Sequence, residues 1–121
     1  GFKFKTTKDG VMLDNYNDTD GNWQIGLRQG GLLFFYDSHY KALGSQTYID
    51  NIEHSFLLIK KPGACYVFVD NIQIHEFSPK WQNWPTKNFV TIGARKLYPG
   101  LTNFKGTIRD LFFAKEDIRS F

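Results

Sequence analysis

The residues of this chain best suited to chemistry are three histidines, one cysteine and a scatter of acids, and their spacing argues against most of it. His39, His54 and His75 are far apart, and no Cys or His pair has the spacing of metal ligands. His54 reads as a strand-start residue that hydrogen-bonds within the fold. No nucleophile-elbow sequence accompanies Ser38, Ser45, Ser55, Ser78 or Ser120, so no catalytic triad is assigned. Cys65, beside Ala64, Tyr66 and Val67, reads as a small buried side chain, and as a lone cysteine it forms no intrachain disulfide. The acidic stretch from Asp14 to Gly21 invites a calcium reading, because hard cations take clustered oxygen ligands. Aligning Gly21 with the glycine of an EF-hand loop puts Tyr16 at the first ligand position and Leu27 at the bidentate acid, so that motif fails. Asp18 and Asp20 with backbone carbonyls stay as a weak calcium candidate beside the reading as an exposed polar turn, which the turn preference of Asp and Asn favours. Asn17-Asp18-Thr19 is also a glycosylation sequon, meaningful only in a eukaryotic secretory pathway.

Recognition has better material. Trp81, Gln82, Asn83 and Trp84 follow one another in a loop between extended runs. Indole faces stack on sugar rings, while Gln and Asn read hydroxyl groups. The competing reading, that one or both indoles fold back over a sheet, carries at least equal weight. Secondary candidates are Tyr36, Asp37, His39 and Tyr40, with Arg95 and Tyr98, rings and polar tips at strand ends where loops gather.

The elements that must position these residues are short and extended. Of 121 residues, 17% are aromatic, which favours strands and excludes disorder. Apolar runs fall at residues 2–6, 11–14, 23–27, 32–36, 46–50, 54–60, 64–69, 72–77, 89–92 and 104–113, with turn chemistry between them. That rhythm predicts a two-sheet sandwich of about ten strands, in one domain spanning residues 1–121. A single turn of helix is expected over residues 115–119. Asp70-Asn71 should make a two-residue hairpin pairing Val69 with Ile72, and Gly30-Gly31 should supply left-handed backbone at another bend. Residues 32–36 and 66–69 are apolar on both faces, so loops, a partner subunit or a ring-lined groove must use the second face. A net charge of +3, spread along the chain, marks no nucleic-acid face. Lys105-Gly106-Thr107 opens like an RNA-binding strand motif, but its continuation departs from it. No stretch is long enough to span a bilayer. Gly1 fits a tag scar or a domain excised from a larger protein, so the compartment is not read from a leader.

Several pieces of the second half stand in a familiar order: Glu53-His54-Ser55-Phe56, then residues 64–71 as a strand with its turn, Val90-Thr91-Ile92-Gly93, and Phe104-Lys105-Gly106-Thr107-Ile108-Arg109-Asp110. Together they resemble the laminin G-like branch of the concanavalin-type lectin and glucanase sandwiches. The opening strands, with Trp23-Gln24-Ile25-Gly26-Leu27, are similar to theirs. The chain is short for that family and lacks its paired C-terminal cysteines. The resemblance implies an all-β antiparallel jelly roll with little helix that recognises glycans or proteins. Related glucanases carry a Glu-x-Asp-x-x-Glu strand; here Tyr48 replaces the first acid ahead of Asp50 and Glu53, and Asp50-Asn51 reads as a turn, so a hydrolase is not expected. The expectation is a non-catalytic, lectin-like adhesion or receptor-binding module of a secreted, cell-surface or virion protein, for instance a phage tail. It would bind a glycan or cell-surface polysaccharide without a cofactor. A protein-interaction or homo-oligomeric assembly module is the alternative. Neither reading involves nucleic acid or membrane insertion.

Overall fold

The protein is described by a computed structural model over residues 1–15, 23–36, 39–78, 90–94 and 103–114, with backbone alone at residues 35, 39 and 40. It is an all-β sandwich. One sheet has the order β10-β1-β6-β7-β8, from β1 (Phe2–Thr6), β6 (His54–Lys61), β7 (Ala64–Val69), β8 (Ile72–Phe77) and β10 (Gly106–Arg109). The facing sheet, β5-β4-β3-β2-β9, is built from β2 (Gly10–Asp14), β3 (Trp23–Arg28), β4 (Gly31–Tyr36), β5 (His39–Leu43) and β9 (Thr91–Ile92). Every ladder is antiparallel, and there is no helix among the described residues.

Period-two alternation turns Phe2, Phe4, Phe56, Cys65, Val67 and Val69 of one sheet against Trp23, Ile25, Leu27, Leu32 and Phe34 of the other, forming a single buried cluster. The second apolar face of β7 is used locally. Phe68 pairs across from Leu57 and Tyr66 from Ile59, so these side chains shield one another outside the sandwich.

The hairpins follow local chemistry. Asp70 and Asn71 both take positive φ (52° and 65°), the primed turn that matches strand twist, and Val69 pairs with Ile72. At the β3–β4 bend the left-handed pair is Gln29 and Gly30 (φ 52° and 81°), while Gly31 already belongs to β4; the turn sits one residue earlier than the two glycines suggest. Gln29 tolerates this because the Asp9 carboxylate accepts both turn amides, from Gln29 N at 2.7 Å and Gly30 N at 2.8 Å.

Three extended runs differ from expectation. Residues 46–50 form no strand, because this stretch crosses from one sheet to the other and has no ladder to join. It is held by Tyr48, whose amide donates to Gly30 O (2.7 Å) and whose ring is buried against Phe4 and His54. The strand lies earlier, at β5, an edge whose Lys41 and Ala42 are exposed and whose pattern is therefore not apolar. The last run is only β10, closed by Asp110 at φ 54°. The turn of helix expected at residues 115–119 lies outside the described residues.

His54 closes one end of the sandwich. Its Nδ1 lies 2.7 Å from Asp70 Oδ2 and its Nε2 2.9 Å from Asp50 Oδ1, so the doubly protonated ring satisfies both carboxylates. Asp70 Oδ1 also accepts the Ser55 amide (2.9 Å), and Asp50 Oδ1 that of Ile52 (3.1 Å). The ring is buried between Phe4 and Tyr48. Burial alone would lower its pKa, but the hydrogen bonds and charges of Asp70 and Asp50 outweigh it and hold His54 above its ordinary 6.5. The bond to His54 in turn holds Asp50 below the usual carboxylate range.

Two outcomes follow. A Cβ at Gly106 would stand 2.2 Å from the Lys5 carbonyl oxygen, so Gly106→Ala must push β10 off β1; urea unfolding should show a loss of about 1–3 kcal/mol. For His54 the folded pKa lies above the unfolded one. Its contribution is therefore fully present below pH 6.5 and lost as pH rises through the folded value. Urea midpoints taken across roughly pH 5 to 9 should fall on the alkaline side, and this fall should vanish in His54→Phe. An unchanged slope in that variant would remove His54 as its source.

Candidate functional site

The end of the sandwich opposite His54 is where the candidate residues attach. In the β2–β5 sheet, β2 ends there at Asp14, β3 begins at Trp23, β4 ends at Tyr36 and β5 begins at His39, with Tyr36 paired to His39 and Asp14 to Thr91 of β9. In the other sheet β8 ends there at Phe77. Its ring lies 4.2 Å from Tyr36 and 5.3 Å from Phe34, a contact that ties the two sheets together. The connections carrying residues 16–22, 37–38 and 79–89 therefore all leave from, and return to, this end. Its floor is polar: buried Gln24 donates to the buried Asp14 carboxylate at 3.1 Å, and Asn15 N donates to Trp23 O at 3.0 Å.

Of the residues singled out by sequence, Tyr36 sits on this end, half-buried, with its ring on Phe34 and Phe77. His39 and Tyr40 are placed in backbone only, as the first residues of β5. Asp37, Trp81, Gln82, Asn83 and Trp84, and the calcium candidates Asp18 and Asp20, lie outside the described residues, as do Arg95 and Tyr98. Residues 95–102 attach elsewhere. Gly93 N donates to Met12 O (2.8 Å), Phe104 N to Gly93 O (2.9 Å), and Asn103 bridges to Val11, so that excursion starts and ends on the outer edge of β2. The backbone thus groups the attachment points of the tryptophan loop, Tyr36 and the acidic loop, and sets those of Arg95 and Tyr98 apart. Among the described residues no group of three or more His, Cys, Asp or Glu converges as a metal site.

The acids of the hydrolase reading are each committed to a cation. Asp50 is held by His54. Glu53 is gripped by the Arg109 guanidinium, Nε to Oε1 and Nη2 to Oε2, and that bond lowers its pKa. A general acid for glycoside hydrolysis needs the opposite shift, upward through burial. The clamp of His54 by Asp50 and Asp70 was not foreseeable as a unit, since Asp70 belongs to a hairpin turn and meets His54 only when β6 and β7 pair.

No protein-family model matches the chain, and no curated protein matches it either. Among solved structures it is similar to the mouse laminin alpha1 chain, domains LG4-5, with a TM-score of 0.67 and 18% identity. The match covers 90% of this chain and 32% of that one, so the chain spans about a third of the length of that structure. The two antiparallel five-stranded sheets of the described residues, and their likeness to those domains, show that the chain has the laminin G-like jelly-roll β-sandwich fold.

Proposed function

We propose that the chain is a non-catalytic recognition module, extracellular or on a cell or virion surface, that binds a glycan at the end of the sandwich opposite His54. The contact between Tyr36 and Phe77 carries this reading, because it roots the tryptophan loop and the β4–β5 turn side by side. Indole and phenol faces from these connections would supply stacking area. Gln82, Asn83 and Asp37 would fix orientation by hydrogen bonds. Asp18 and Asp20 belong to a connection rooted at the same end, so calcium is a candidate bridge there. A single shallow site of this kind binds weakly, and attachment would gain from several copies.

A second reading rests on a different observation. Half-buried Leu57, Tyr66 and Phe68, set around buried Ile59, form an apolar patch on the outer face of the β6–β7 pair, which fits a protein-interaction or assembly role.

A glycan array run with and without a calcium chelator separates the two. The first reading expects binding that weakens about tenfold or more in Trp81→Ala or Trp84→Ala, with the unfolding midpoint retained. An array blank under both conditions, with light scattering showing a stable dimer that Phe68→Lys dissociates, would replace it with the second.

A further inference from the structure

His75 is unused by either reading. The register of β8 against β7 slips at Ile74, so Gln73 faces Phe68 while His75 faces Val67, and the slip turns the imidazole toward the interior side. The ring stacks on Phe77 at 5.7 Å, with 23° between planes, and Phe77 is the ring that joins β8 to Phe34 and Tyr36 of the opposite sheet. His75 is half-buried, and its Nε2 is shielded from solvent with no hydrogen-bond partner among the described residues. Among the described residues the charge that acts on it is a cation, Lys41 of β5. Among the described residues the other polar groups around this joint are the Cys65 thiol across from Phe77 and the Tyr36 phenol. Glu76, next along β8, pairs with Tyr66 and points to the outer face. Among the described residues no carboxylate is set to receive a proton's charge here, unlike at His54, where two are.

We propose that His75 is an acid-sensitive latch: protonation charges a ring that stacks on Phe77 and whose shielded Nε2 has no acceptor among the described residues, and frees β8 from the β4–β5 edge while the His54 end stays closed. Burial first, and the Lys41 charge second, hold the imidazole below its ordinary 6.5, so the folded joint selects the neutral ring. With the folded pKa depressed, the stability of the joint is complete above pH 6.5 and is lost as pH falls from there through the folded value. The opening is local because β8 is an edge strand, paired to β7 alone among the described residues. It loosens the strand from which residues 79–89 continue, whatever those residues bind.

Amide hydrogen exchange, corrected for intrinsic rates and compared between about pH 7.5 and pH 5, tests this. The expected result is a severalfold loss of protection in β8, with β1 and β6 unchanged, that disappears in His75→Phe. Should that variant not fold, the ring-proton NMR titration of His75 in the unaltered protein decides, and an apparent pKa below 6.5 is expected. Unchanged β8 protection, equal loss in β1 and β6, persistence of the acid effect in His75→Phe, or titration at or above 6.5 would each overturn the latch.

Discussion

The constraint on which this structure turns is the crossing between sheets. Within a sheet the backbone groups of the inner strands have ladder partners, but a chain that passes from one layer to the other leaves its amides and carbonyls to be satisfied by something else. The crossing from β1 to β2 solves this with side chains: Thr6 Oγ1 donates to Lys105 O at 2.6 Å and accepts from Lys8 N, and Asp9 accepts the β3–β4 turn amides. The crossing from β5 to β6 does the same through Tyr48, Asp50 and His54. Both lie at one end, and together they make it a stapled cap. The crossing from β8 to β9 leaves from the other end, where the sheets meet, among the described residues, through the rings of Phe34, Tyr36 and Phe77.

That asymmetry has a functional corollary. Segments that recognise a ligand are positioned by rigid elements but are not themselves consumed in holding the fold. At the His54 end the polar side chains near the loops are already paired, Asp50 and Asp70 with His54 and Glu53 with Arg109, and have little left to offer a ligand. At the Tyr36 end the connections are longer, richer in rings and amides, and rooted on an aromatic joint. A binding module built on this sandwich is better served there.

Local chemistry carried most of the fold, and its failures are equally local. Asp70-Asn71 specifies its hairpin because both residues of the turn are neighbours in sequence. The run at residues 46–50 reads as a strand because its alternation puts Tyr48 inward, and Tyr48 is indeed buried; what sequence could not convey is that no strand lies beside it. β5 escaped notice because an edge strand buries little, here chiefly Leu43. Gly106 was visible only as part of a resemblance, and its reason, the Lys5 carbonyl against the place of a Cβ, is a contact between opposite ends of the chain. Of the candidate site, composition offered only the candidate residues, whereas grouping their attachment points required knowing which strand ends coincide. That put Tyr36 with Phe77 and separated the connection carrying Arg95 and Tyr98.

The two described histidine side chains show how one residue type is given opposite electrostatics by a single fold. Both are shielded and both touch aromatic rings, so burial pushes both toward the neutral form. At His54 two aspartates, one from the crossing and one from the β7–β8 turn, reverse that push, and the charged ring binds three segments together. At His75 the charge that acts among the described residues is Lys41, which reinforces burial, and the neutral ring acts as one more flat surface in the stack on Phe77. The stabilising state of one is therefore the destabilising state of the other. As pH moves through the imidazole range the two ends of the sandwich respond in opposite directions, and the end that yields to acid is the one to which the tryptophan loop is attached.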